Sequence, residues 1–205
     1  PGFGTVVTGT LVGGTIRQGD RLDLLPLGLD VRVRGLQVHG EPVEQARAGQ
    51  RVAVNLAGIE RSDVKRGHVL CAPGALRPTA SFAGRLHLLE SWPKELKHGE
   101  RVHLHTGTSE VLARVLLLEG ETLQPGSSAY VQLKVEEPVV VGRGDRYIIR
   151  SYSPVHTIGG GKVIEPHAGY KRSQAKKAIA ELEAKESGGT GGVIAETLLQ
   201  SGMTP

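Results

Sequence analysis

Five short runs of strict alternation constrain this chain more than any other feature. Arg21-Leu22-Asp23-Leu24, Val31-Arg32-Val33-Arg34, Arg85-Leu86-His87-Leu88, Arg101-Val102-His103-Leu104-His105 and Val131-Gln132-Leu133-Lys134-Val135 each place an apolar side chain at every second position. Successive side chains of a strand point to opposite faces, so each run has one face for a core and one for water. Between the runs lie turn pairs such as Gly13-Gly14, Pro73-Gly74 and Pro125-Gly126. Many short strands with this punctuation predict an all-β sandwich or closed barrel and argue against alternating strand and helix.

One local pattern recurs four times: Gly19-Asp20-Arg21-Leu22, Gly49-Gln50-Arg51-Val52, Gly99-Glu100-Arg101-Val102 and Gly144-Asp145-Arg146-Tyr147. Glycine can supply a positive-φ turn, after which a polar pair leads into an apolar strand. The unequal separations fit no repeat array, so the pattern is shared turn chemistry, with two copies in each half of the strand region. The prolines of Pro73-Gly74-Ala75-Leu76-Arg77-Pro78 stiffen a linker and block a central strand. Two small barrels are therefore expected, at 1–74 and 79–166, and 205 residues suffice for two small cores.

After Pro166 the composition changes, and residues 167–205 are predicted to form a short α-helical tail. Ala175, Ala178, Ile179 and Leu182 lie on one helical stripe within Lys171–Glu186. Ser187-Gly188-Gly189-Thr190-Gly191-Gly192 breaks the pattern, and Ile194 with Leu198 begins another. Such small apolar faces form no core alone. The tail is either docked on the second barrel or the start of a further domain.

Several function classes are excluded. Gly159-Gly160-Gly161-Lys162 has glycines and a lysine, but Val163 stands where a phosphate loop needs a hydroxyl, and Glu165-Pro166 blocks the following helix. It reads as a glycine bend near the end of a barrel. His103 and His105 share one strand face, yet no cysteine or carboxylate pair lies nearby in sequence and Arg101 shares that face. A solvated polar face able to touch RNA is preferred to a metal site. Cys71, flanked by Leu70 and Ala72, reads as inert packing, and no Gly-x-Ser-x-Gly elbow is present. No catalytic residue, metal or resident cofactor is expected in this chain.

A single cysteine excludes an internal disulfide and suits a reducing compartment. No apolar run approaches the roughly 18 residues of a membrane span, and no signal peptide opens the chain. The expectation is a cytoplasmic protein without a membrane partner. Two Phe, one Trp and four Tyr are too few for a base-stacking platform. A net charge of +4 allows a nucleic-acid partner without demanding one. Basic side chains on strand faces, among them Arg32, Arg51, Arg85, His103, His105, Arg146 and Arg150, would pair with phosphates and read RNA by shape more than by sequence.

Four segments, in order, resemble the second and third domains of translational GTPases of the elongation factor Tu type: Gly2–Gly9, Ala48–Leu56, Lys65–Leu70 and Cys71–Gly74. Within that superfamily, Pro154–Val163 and the charged helix beyond the second barrel resemble the selenocysteine-specific elongation factors. The resemblance implies a chain that has lost a GTPase domain, because it opens directly on a strand. GTP and Mg²⁺ would belong to the full-length parent. It also implies delivery of selenocysteinyl-tRNA to the ribosome, and residues 171–205 look like the start of winged-helix domains that bind an mRNA hairpin.

Carried over by motif, Thr8 and Arg51 match positions lining the aminoacyl pocket, where a guanidinium would favour an ionised selenol over an uncharged serine. The other reading is that Arg51 merely solvates a turn, like its three counterparts. His105, Thr106, Ser151 and Tyr152 fall in loops matching the site of the tRNA T-arm. The same double-barrel module occurs in the GTPase subunit of sulfate adenylyltransferase and in other translational GTPases, which stand as alternatives.

Overall fold

A computed structural model of the protein describes residues 4–187. Gly2 and Phe3 of the opening segment, the Gly188–Gly192 break and the Ile194/Leu198 pattern lie outside the described residues. The chain divides into two compact units, one ending at Pro78 and the other beginning at Thr79. The all-β expectation holds. No helix among the described residues is long and apolar enough to cross a membrane.

The first unit contains β1 (Thr5–Thr10), β2 (Thr15–Arg17), β3 (Arg21–Leu25), β4 (Leu29–Val38), β5 (Glu41–Val43), β6 (Gln45–Arg47), β7 (Arg51–Ala57) and β8 (Val69–Cys71). Its main sheet runs β1-β7-β4-β3-β8, with β5 added to β4, while β2 and β6 form a separate ribbon. Inward side chains of sheet and ribbon meet in one core, where Ile16 and Ala46 of the ribbon join Leu24, Val31, Val33, Val54 and Leu56. The unit therefore encloses a core as a barrel does, although its hydrogen-bond ladder is not continuous.

The second unit contains β9 (Pro78–Leu88), β10 (Leu96–Lys97), β11 (Glu100–Thr106), β12 (Ser109–Leu117), β13 (Thr122–Leu123), β14 (Ser128–Val140), β15 (Arg146–Ser151), β16 (Thr157–Glu165) and helix α1 (Ala175–Ser187). Here the ladder closes, in the order β11-β12-β14-β9-β16-β15. The alternating runs supply its core: Leu86, Leu88, Val102, Leu104, Val131 and Leu133 are all fully buried.

The four sequence-related turns share one geometry. Gly19, Gly49, Gly99 and Gly144 have φ of 93°, 91°, 80° and 95°, a region open to glycine at no steric cost. The next residue folds its side chain back onto a main-chain amide three positions earlier. Arg17 N–H donates to Asp20 (2.7 Å), Arg47 N–H to Gln50 (2.7 Å), Lys97 N–H to Glu100 (2.9 Å) and Gly142 N–H to Asp145 (2.7 Å). Each glycine N–H also donates across to a carbonyl, of Val33, Leu11, Val115 and Val163 respectively. Turn and strand pairing are thereby tied together.

The glycines of β16 form a strand and not the bend expected from sequence. A Cβ on Gly159 would lie 2.5 Å from the His87 carbonyl oxygen, and one on Gly161 only 1.8 Å from that of Arg85. Neighbouring strands approach too closely for any side chain. Gly84 and Gly161 also make room for Tyr147, whose buried ring meets Phe82 edge-on and whose hydroxyl donates to the Arg85 carbonyl at 3.0 Å.

Helix α1 docks on the second unit. Ala178 and Leu182 pack on Ala83, Leu118, Ile164 and Ala168, with Ile179, Tyr130 and Tyr170 at the margin. Polar contacts fasten its C-terminal end, where exposed carbonyls favour cations. The Arg143 guanidinium donates to the Lys185 carbonyl, Lys185 Nζ to Glu165 (2.6 Å) and Tyr130 to Glu186 (2.7 Å). Burial and the Glu186 carboxylate push the Tyr130 phenol up to about 12.

Two outcomes follow from this packing. Gly161→Ala should destabilise the second unit by about 1–3 kcal/mol, the cost of overpacking. Gly169→Ala, with open space around it, should change stability by less than about 0.5 kcal/mol; urea denaturation of both variants checks this. Burial acts upward on the Glu165 carboxyl, but the Lys185 and His167 hydrogen bonds outweigh it and hold the group below its ordinary value. A depressed carboxylate stabilises above its unfolded value and loses that contribution as the pH falls through the folded one. Acidification should therefore lower the protection factors of α1 amides, taken against the intrinsic exchange rate at each pH, before those of β11 or β14, and Glu165→Gln should remove most of that pH dependence.

Candidate nucleic-acid interface

In the first unit, β1 lies antiparallel to β7, with Thr8 opposite Ala53 and Thr10 opposite Arg51. Val52, Val54 and Leu56 face the core, so Arg51, Ala53, Asn55, Thr8 and Thr10 share the outer face. Thr8 and Arg51 are thus diagonal neighbours across two strands, both exposed, a placement that brings long side chains within reach of one another. Small Ala53 leaves the surface between them low, and exposed Val6 borders it.

The four turn arginines differ in what they hold. Arg21 pairs with Asp30 at 2.9 Å. Arg101 makes two bonds to Glu136, at 2.7 and 2.6 Å, and holds that carboxyl below its ordinary range. Arg146 stands opposite Lys162. Among the described residues the Arg51 guanidinium has no ion-pair or hydrogen-bond partner. Asn55 Oδ1, further along the same face, is buried without a partner among those residues.

The second unit presents a polar face on β11. Arg101, His103 and His105 point outward because Val102, Leu104 and Thr106 point into the core. His103 stands opposite Leu112 on β12 and Arg150 on β15, and His105 opposite Glu110 and Ile148. The Glu110 carboxylate lies 3.5 Å from His103 Nδ1 and 3.9 Å from His105 Nδ1. Half-exposed Tyr152 stacks on His103, with ring centroids 5.8 Å apart and planes at 17°. Arg101 lies 4.9 Å from the Tyr152 ring centre and donates to its hydroxyl at 3.3 Å.

Of the four residues matched to the T-arm site, His105 and Tyr152 reach this surface. Thr106 and Ser151 do not. Thr106 is buried and its hydroxyl donates to the Arg146 carbonyl at 3.4 Å. Ser151 is buried with its Oγ bonded to the Pro154 carbonyl and the His156 amide, holding the turn between β15 and β16. Both follow inward residues, Leu104 and Ile149, at a spacing of two, so alternation already carried the signal. Arg101 and Glu110 are additions to the site: Arg101 is on the alternation of His103, while Glu110 depends on strand register.

The other candidate chemistries do not assemble. Gly159–Lys162 runs within a closed barrel between β15 and β9, with strand partners on both sides, so it does not fit a nucleotide phosphate. Among the described residues no group of three or more His, Cys, Asp or Glu is placed to hold a metal ion. Burial pushes the Cys71 thiol up, which works against a nucleophilic thiolate.

Residues 83–169 match the family described as the selenocysteine-specific elongation factor β-barrel domain, and residues 4–71 match elongation factor Tu domain 2. The selenocysteine-specific elongation factor of Desulfomicrobium baculatum is 44% identical over 80% of this chain and 26% of its own length. Elongation factor Tu 2 of Streptomyces avermitilis is 35% identical over 79% of this chain and 42% of its own. The crystal structure of the bacterial selenocysteine-specific elongation factor EF-Sec superposes with a TM-score of 0.75 at 27% identity, covering 88% of this chain and 29% of that one. The chain thus spans about a quarter of the length of the Desulfomicrobium relative.

Proposed function

We propose that the chain is the part of a selenocysteine-specific elongation factor that holds selenocysteinyl-tRNA for delivery to the ribosome. The observation that carries the reading is the match of the second unit to the barrel of that family in particular, following a first unit of the elongation factor Tu type. GTP hydrolysis with Mg²⁺ falls to a domain outside these two units, an mRNA hairpin falls to others, and the chain itself is not an enzyme. Its place of work is the cytoplasm.

Within the first unit the aminoacyl end of the tRNA lies against the outer face of β1 and β7, with Thr8 and Arg51 at the esterified amino acid. A selenol is more acidic than a thiol and is ionised at neutral pH, whereas serine stays neutral. Arg51 is suited to this role because its guanidinium is unengaged among the described residues, unlike those of Arg21 and Arg101. In the second unit, RNA backbone lies on the face of His103, His105, Arg150 and Tyr152. Arginine and protonated histidine there meet phosphates, and the tyrosine hydroxyl meets ribose.

The test belongs in the full-length factor loaded with GTP. Arg51→Ala should weaken selenocysteinyl-tRNA by about 1.5–3 kcal/mol, the range for a hydrogen bond to a charged group. Seryl-tRNA should change far less, because specificity is the difference between the two affinities. Arg51→Lys should recover part of the loss, since the charge survives without the planar donor fork. Equal weakening of both tRNAs in equilibrium binding would mean that Arg51 holds phosphate or the turn and not the selenolate.

A further inference from the structure

We propose that His103 and His105 take up a proton when a phosphate of an RNA backbone docks on the outer face of β11, so that RNA binding there strengthens as the pH falls from about 8 to about 6. The proposal rests on the RNA reading above and adds to it a linkage between RNA and proton.

The geometry lies in the sharing of one carboxylate. Glu110 is placed between the two rings, 3.5 Å from one Nδ1 and 3.9 Å from the other. The two rings keep 23% and 27% of their side-chain surface exposed, so an RNA strand can reach them. His105 Nε2 and Arg150 Nε are buried without hydrogen-bond partners. Those two nitrogens lie beneath the surface, so an RNA strand meets the exposed parts of the rings and not these atoms.

The surrounding charges set the sign. On β11 Arg101 is engaged with Glu136 of β14. On β12 stand Glu110 and, opposite Arg101, Arg114. On β15 stand Arg150, opposite His103, and Arg146 further along the strand, with the Tyr152 phenol beyond its end. With both rings neutral, Glu110 and Arg150 cancel beside the pair, and an anion gains little there. One proton makes that neighbourhood cationic, against the opposition of Arg150. A docked phosphate offsets that repulsion. Proton and phosphate each raise the affinity for the other by the same factor.

The measurement is anisotropy of a labelled RNA hairpin shaped as an acceptor stem with T-arm, titrated with the 205-residue chain at about pH 6 and pH 8 and constant ionic strength. Affinity at the lower pH should be about tenfold greater, the effect of a one-unit rise in a linked group. In the His103→Gln/His105→Gln double variant that ratio should fall to about twofold or less, with the other histidines supplying the remainder. Bound hairpin should move the NMR titration midpoints of both rings to higher pH, an effect that a purely structural role would not produce. An unchanged ratio in the double variant, or equal affinity at both pH values in the parent chain, overturns the linkage and leaves the RNA reading standing. Failure to bind the hairpin at either pH overturns both.

Discussion

The glycine turn that occurs four times organises both units. In each copy a positive-φ glycine points its amide across to a neighbouring strand, while the following polar side chain bonds back to the main chain. Buried or half-buried main-chain groups must find partners, and here one residue pair supplies them for both the turn and the first rung of strand pairing. Once the turn is made, the register of the next strand is set. Register decides which side chains face the core, because a slip of one residue would exchange the two faces. Leu22, Val52, Val102 and Tyr147 each enter the interior on the second residue after the polar position.

Most of this was legible because it is local. Alternation in Val31–Arg34 and Arg101–His105 requires only neighbouring residues to interpret, and the four turns need only a tetrapeptide. Closure of the sheet is not local: the second unit closes through pairing of β11 with β15, and the first stops at β1 and β8. The strand form of the β16 glycines is not local either. Its cause lies in the carbonyls of His87 and Arg85 and in the ring of Tyr147, all distant in sequence.

The site divides along the same line. Arg51 and Thr8 lie within strands whose facing was readable, and their adjacency follows from one antiparallel pairing. Family position places Thr106 and Ser151 at the site, but the alternation of their own strands turns both inward. Glu110 could not be found from composition, since a lone acidic residue after a turn has no distinguishing context. It matters only because β12 pairs with β11 in a register that sets it beside two histidines.

The turn also explains how a repeated structural device can carry different functions at its four sites. Glycine and the polar residue do the folding work, through φ and through main-chain bonds. The arginine that follows begins the strand on its outer face and is not required by the turn. Each is therefore free to serve its surroundings: Arg21 meets Asp30, and Arg101 meets Glu136 and orients Tyr152. Arg51 meets neither acid nor carbonyl among the described residues, and its neighbours on that face, Thr10 across the pairing and Ala53 along its own strand, leave it unshielded. A guanidinium without a partner is better placed to take an incoming anion than one that must first leave a carboxylate. The turn thus fixes where Arg51 stands without using its charge, and fold and recognition can vary separately at that position.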